Sequence, residues 1–237
     1  MSTILTTAEP FDRIYQRASE RKGGAAALEA LLGQSASSDD IAAIPDNLLL
    51  GELTKKVFQS GFVWRVVRQK WPGFCEVFFD FNIEKMLLMS DEMLEAKARD
   101  ERIIRNAGKV FTIRHNAMMI DDITRKHGSF GRFIADWPTA DIIGLWAYLK
   151  QHGARLGGNT GPYALRAIGK DTFILSTDVE AYLRATNIFD GGLSSKRSLN
   201  QIQQQFNLWH KQSGRSLTHI SQIIALSVGE NSVGMQQ

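Results

Sequence analysis

Leu149-Lys150-Gln151-His152-Gly153-Ala154-Arg155-Leu156-Gly157-Gly158-Asn159-Thr160-Gly161-Pro162-Tyr163-Ala164 reads as a helix, a glycine-rich reversal and a second helix. Gly157 and Gly158 supply the backbone freedom of a tight reversal and let the main chain come close to another surface. Asn159 or Thr160 is placed to cap the second helix, and Pro162 suits its first turn. Outward-facing amides at a helix N-terminus bind a phosphate well, and Arg155, Lys150 and Lys170 add positive charge nearby. Such an element can grip a nucleic-acid backbone without reading its sequence. The plainer reading of the same glycines is a tight interhelical turn with no ligand. No G-x-x-x-x-G-K loop occurs and no strand precedes the glycines, which sets nucleotide binding aside.

Helical spacing continues on both sides of this stretch. Phe11, Ile14, Tyr15 and Ala18 form one apolar stripe, Leu28, Leu31 and Leu32 a second, and Leu49, Leu53 and Val57 a third. Ser38, Asp39 or Asp40 can cap a short turn ending at Pro45; Asp46 or Asn47 can cap a long helix starting near Leu48 and running toward Gly61. Phe62, Val66, Val67 and Trp71 suit a buried face, and Pro72-Gly73 is expected to end that element. Further helices are predicted over Phe74–Phe81, Ile83–Met89, the Ser90-capped segment after it, Arg105–Met119, Thr139 or Asp141 to Leu149, Asp178–Ala185, Leu199–His210 and Ser216–Val228. No run alternates as a strand would, so the expected fold is all-α, with about ten helices.

The 237 residues are 43% apolar, 22% charged and 9% aromatic, the composition of a folded globular chain. No stretch approaches the roughly 18 to 20 apolar residues of a membrane helix, and the N-terminus lacks a cationic start followed by an apolar core. A cytoplasmic protein without a membrane partner is expected. The single cysteine, Cys75, excludes an internal disulfide, a four-cysteine cluster and a cysteine-rich zinc site, so the expected chemistry uses no metal and no cofactor. A net charge of +3 mildly favours an anionic partner.

Four blocks together resemble the type I DNA-3-methyladenine glycosylases of the helix-hairpin-helix superfamily. They are Val57-Phe58-Gln59-Ser60-Gly61-Phe62-Val63-Trp64; Lys70-Trp71-Pro72-Gly73-Phe74; Ile103 to Lys109 with His115-Asn116-Ala117; and the Gly153–Tyr163 reversal. They fall in the family's order, within roughly Leu48 to Leu183. The resemblance implies two helical subdomains flanking a DNA- and base-binding cleft, in a glycosylase domain over residues 46–237 with its hairpin at about 149–168, preceded by a helical extension over residues 1–45. It implies hydrolytic removal of alkylated purines, chiefly 3-methyladenine, from damaged double-stranded DNA by a monomer. Two departures mark a divergent branch. The terminal zinc site of familiar members has no cysteines here, and Lys56 stands eight residues before Trp64, where the family places a base-contacting glutamate; Glu52 lies one helical turn earlier.

Roles follow from the chemistry. A duplex hides the target bond, so the nucleotide must be extruded. A cationic alkylated purine can stack on Trp64. Phe62, after Gly61, can wedge into the base stack, and Gln59 can face the orphaned partner base, with Lys56 completing the base-binding set. A positively charged leaving base needs little acid help, so a carboxylate beside the sugar is required, and Asp178 and Glu52 are the two candidates. Gly157, Gly158, Asn159, Thr160, Gly161 and Arg155 of the hairpin, with Arg105 and Lys109 of the basic helix, are the expected DNA contacts. No lysine is singled out as a Schiff-base nucleophile, since Lys55 and Lys56 sit side by side on a polar helix face and Lys170 follows a glycine in a turn, so a monofunctional enzyme without lyase activity is expected. Two other readings stay open: a non-catalytic helix-hairpin-helix DNA-binding protein, favoured by Lys56, and a helical interaction protein that does not bind DNA.

Overall fold

The computed structural model describes residues 8–229, which form α-helices and two short 3-10 turns and no strand. In chain order the helices are α1 (Phe11–Arg21), α2 (Ala25–Glu29), α3 (Ser38–Ala42), α4 (Asp46–Gln59), α5 (Trp64–Val77), α6 (Ile83–Leu87), α7 (Asp91–Lys97), α8 (Ala107–His127), α9 (Phe130–Asp136), α10 (Ile142–His152), α11 (Thr160–Ile168), α12 (Thr177–Ala185), α13 (Lys196–Ser213) and α14 (Leu217–Ser227). The 3-10 turns are Phe79–Phe81 and Thr139–Asp141. The all-helical fold expected from the spacing of apolar residues is present. No helix among the described residues is long and apolar enough to cross a membrane.

The chain divides into two compact units, each assembled from separated segments. One takes residues up to Ser35, Pro138–Ile143 and the chain from Asp171. In it α1 buries Phe11, Ile14 and Ala18, three of the four residues of the expected stripe, and packs on α14, while Tyr15 stays half-buried with its hydroxyl donating to Glu29 at 2.7 Å. Phe173 stacks on Phe206 at 4.2 Å, and the Trp209 indole donates to the Glu9 carbonyl at 3.2 Å. Glu9 also accepts two bonds from Arg17, both at 3.0 Å, and one from the Tyr182 hydroxyl at 3.0 Å. The Arg17 guanidinium holds the Glu9 carboxyl below its ordinary value, while burial, then the Glu9 bond, pushes the Tyr182 phenol up. Asp171 accepts from the amides of Leu217 and Thr218 at 3.0 and 2.8 Å, which satisfies the exposed donors that begin α14.

The other unit holds Ala36–Trp137 and Gly144–Lys170. Its centre is α4, which buries Leu49, Leu50, Leu53, Val57 and Phe58 and packs on α5, α8 and α11. Asp46, a candidate cap, lies one residue inside α4. It accepts instead from the Thr124 hydroxyl at 2.5 Å and the Phe130 amide at 3.0 Å, tying α4 to the α8–α9 junction.

One boundary differs from expectation. Pro72-Gly73 does not end α5, which runs on to Val77 with Pro72 inside it. An interior proline costs about 3 kcal/mol. The turn beyond it buries Phe74 and Val77, each stabilising by roughly 1.5 to 3 kcal/mol, and that outweighs the lost bond. Gly73 serves packing rather than termination: a Cβ there would lie 2.4 Å from the Arg102 carbonyl oxygen. After α5 the chain makes a left-handed turn through three non-glycine residues, Phe79, Asp80 and Phe81, with φ of 52°, 50° and 58°. Such backbone costs roughly 1 to 2 kcal/mol per residue. Phe81 offsets part of this by stacking on Trp71 at 5.3 Å, and the Asn47 side chain donates to the Asp80 carbonyl at 3.1 Å.

Candidate nucleic-acid interface

The hairpin joins α10 to α11 and is locked on α8. The Asn116 side chain accepts from the Ala154 amide at 2.7 Å and donates to the Ala154 carbonyl at 3.3 Å, a two-point clamp on the reversal. Arg155 adopts a left-handed backbone at φ 58° and is exposed; its guanidinium lies beside Gly108 at the start of α8. Gly161 packs so closely that a Cβ would sit 2.6 Å from the Leu156 carbonyl oxygen, to which the Gly161 amide donates at 3.1 Å. Asn159 occupies the N-cap position of α11 with helical backbone and no side-chain cap bond, so the capping expected of it is not made. Thr160 begins the helix, and Gly158 and Asn159 lie exposed at its mouth.

The turn between α4 and α5 lies against this hairpin helix. Trp64 opens α5 and meets Tyr163 of α11 edge to face, with ring centres 5.7 Å apart. The Lys56 amine lies over the same tryptophan, 5.3 Å from its ring centre. Lys56, Trp64 and Tyr163 thus form one cluster. Tyr163 carries no expected role in the sequence; its place in the first turn of the hairpin helix is the signal that could have marked it. Burial pushes the Lys56 amine below its ordinary value, against the opposing charge of Glu52. Phe62 is 45% exposed in the turn itself, beside Gly61 at φ 69°. Gln59 is buried, and its Oε1 has no hydrogen-bond partner.

Glu52 takes part in a different contact. It forms an ion pair with Lys55 at 2.6 Å and lines a cavity of about 320 Å³ together with Asn47, Leu48, Trp71, Cys75 and Asp80. The Lys55 amine also lies 4.5 Å from the Trp71 ring centre. Two expected phosphate contacts turn inward. Lys109 is buried, donating to the carbonyls of Phe58 at 3.2 Å and Ser60 at 2.7 Å, and Lys170 donates to those of Ala135 at 3.0 Å and Trp137 at 2.6 Å. These ammonium groups satisfy the free carbonyls at the ends of α4 and α9. Arg105 remains exposed.

Asp178 belongs to the other unit, as the second residue of α12. Ser176, not Asp178, caps that helix, its hydroxyl accepting from the Val179 amide at 3.4 Å. The half-buried Asp178 carboxylate is therefore not held in a capping role, and it lies beside Gly229.

The donor set offers nothing for the terminal zinc of the resembled family. Cys75 is the only cysteine, and no group of three or more His, Cys, Asp or Glu side chains among the described residues could hold a metal ion.

The helical architecture is that of the DNA glycosylases of the helix-hairpin-helix type. The solved 8-oxoguanine DNA glycosylase of Methanocaldococcus jannaschii is similar to it with a TM-score of 0.54 at 15% identity, covering 90% of this chain and 92% of that one. A 3-methyladenine DNA glycosylase I from Staphylococcus aureus is similar at 22% identity and a TM-score of 0.48, over 69% of this chain and 87% of that chain. The family model described as methyladenine glycosylase matches residues 42–165, and the chain belongs to that family.

Proposed function

We propose that the protein is a monofunctional DNA glycosylase that extrudes an alkylated purine, chiefly 3-methyladenine, from duplex DNA and hydrolyses its N-glycosidic bond without a metal. The observation that supports this reading is the Trp64–Tyr163 contact with Lys56 on the same ring, because an aromatic ring of the kind that can stack a base then lies against the helix that follows the hairpin.

Backbone amides of Gly157 and Gly158 and the exposed Arg155 hold the phosphates, with Arg105 adding charge. Extrusion costs about a few kcal/mol, less for a poorly stacked lesion. Phe62, exposed beside the flexible Gly61, fills the vacated stack, and Gln59 backs that turn toward the orphaned base. Trp64 stacks the extruded base. A lysine ammonium on that ring would repel a cationic purine, and burial weakens the amine's hold on its proton, which lessens that repulsion. The positive base leaves readily, so the remaining task is to stabilise the sugar cation and direct water. Asp178, free of capping duty, is the carboxylate we assign to it, with Glu52 as the second candidate.

The test is release of free base from methylated duplex DNA with chelator present. Wild type is expected to release 3-methyladenine, Asp178→Asn to lose at least about 100-fold, and Trp64→Ala to lose mostly in KM. A larger loss in Glu52→Gln than in Asp178→Asn reverses the assignment. Absence of release with salt-sensitive DNA binding intact favours the non-catalytic reading to which Lys56 points, and absence of both returns the chain to an interaction role.

A further inference from the structure

The turn that carries Phe62 and the glycine-rich hairpin come from distant stretches of chain, yet both are fastened to the first half of α8. At the end of α4 the carbonyls of Phe58, Gln59 and Ser60 need donors. The buried Lys109 ammonium donates to Phe58 at 3.2 Å and to Ser60 at 2.7 Å, and the Phe62 amide donates to Gln59 between them at 3.2 Å. Lys109 is itself fixed at the start of α8, where its amide donates to the Asn106 side chain at 3.0 Å. Asn116, two turns further along the same side of α8, clamps Ala154 of the hairpin. The Arg155 guanidinium reaches back from that hairpin and lies 3.4 Å from where a Cβ on Gly108 would stand, next to Lys109. Burial, and then the like charge of Arg155, weaken the Lys109 amine's hold on its proton. A phosphate drawn to the exposed Arg155 offsets that charge, so the bonds from Lys109 to the turn strengthen when the hairpin takes up a backbone.

We propose that Lys109 is a positioning residue that couples the hairpin's phosphate grip to the turn carrying Phe62, so that capture of the backbone sets Phe62 for insertion into the base stack. The proposal rests on the reading in which Phe62 fills the place of the extruded nucleotide. Lys109 touches neither base nor sugar and acts through the Phe58 and Ser60 carbonyls, which hold the chain on either side of Gln59 just before Gly61 and Phe62. α8 is then the strut between the two DNA-facing loops, with Lys109 holding one and Asn116 the other. A lysine that only stabilises the fold changes how much protein is folded, and leaves the extrusion achieved by each bound, folded molecule as it was. A lysine that sets the turn changes that extrusion while the phosphate contacts, and so the affinity for duplex, stay in place.

The test uses the full chain and a duplex in which 2-aminopurine, whose fluorescence rises when it is unstacked, lies next to a tetrahydrofuran abasic analogue. Anisotropy of an end label on the same duplex reports binding. At saturating protein the wild type is expected to raise the 2-aminopurine signal, and Phe62→Ala to remove most of the rise. Lys109→Met is expected to cut the rise at saturation by about fivefold or more, since bonds from a charged donor are lost, while affinity changes by less than about twofold, since phosphate contacts carry it. The same result is expected of Lys109→Gln, which keeps a donor without the charge and serves if methionine is not tolerated; melting curves report the fold of each. Arg155→Gln relieves the repulsion as a bound phosphate does, so it is expected to weaken binding and keep the rise at saturation. An undiminished rise in a folded Lys109 variant, a loss of affinity as large as the loss of rise, or a rise lost in Arg155→Gln overturns the proposal. No rise with wild type, or a rise that survives Phe62→Ala, sinks the wedge reading and this proposal with it. A rise that depends on Phe62 and survives the loss of Lys109 sinks this proposal alone.

Discussion

Single ammonium groups decide much of this molecule. Lys109 illustrates why the site was only partly legible in the sequence: an amphipathic basic helix announces cations, but not which of them face inward. Its amine bridges the Phe58 and Ser60 carbonyls, one turn from Phe62. Replacing it with methionine keeps the bulk and leaves two partly buried acceptors unpaired, at a cost of about 1 to 3 kcal/mol. The expected result for Lys109→Met is a lower urea midpoint with an unchanged slope, and an unchanged midpoint would show that water replaces the ammonium. Trp64 was singled out only through the resembled block, because a tryptophan three residues past a helix-breaking glycine is by itself more often a core residue. Its partner Tyr163 had only its place in the first turn of the hairpin helix to mark it, since an edge-to-face contact across 99 residues does not show in the spacing of the chain.

At the scale of elements, the hairpin could be read because its signals are local: glycines at the reversal, proline in the first turn and an apolar helix before it. Its two exposed-looking glycines are nonetheless unequal. Gly158 is left-handed at φ 60° with nothing within 4 Å of an added Cβ, while Gly161 has a carbonyl oxygen 2.6 Å from that position. Gly158→Ala is expected to cost about 1 to 2 kcal/mol through backbone strain alone. Gly161→Ala is expected to cost more and to displace the start of α11, weakening duplex binding in a fluorescence-anisotropy titration by a larger factor than Gly158→Ala. Equal effects would mean that backbone freedom, not close packing, sets the hairpin. The continuation of α5 past Pro72 and the left-handed turn at Phe79–Phe81 were illegible for one reason. In both, aromatic packing overrides a local preference, and sequence displays the preference without the packing.

The whole molecule is two units woven from alternating lengths of chain, and the helical class was legible where this weaving was not. Periodicity identifies each stripe but not its partner, and α1 meets α14 across nearly the full length of the chain. A chain beginning at residue 36 would lose Phe11, Ile14 and the Glu9 carbonyl that receives the Trp209 indole. It is expected to show a red-shifted tryptophan emission and a lower first melting transition; emission and melting like those of the full chain would show that α1 is dispensable to that unit.

The same threading sets an order on synthesis. The first helix leaves the ribosome long before the last exists, and at about 5–20 residues per second the wait is on the order of ten seconds or more. Meanwhile α3 to α9 are made together, followed by α10 and α11, so the unit bearing Trp64 and the hairpin is complete before the other has its closing strip. During that interval the apolar stripe of α1 has no native partner on α14, and a nascent chain stalled before Leu217 is the species on which a holding chaperone would act.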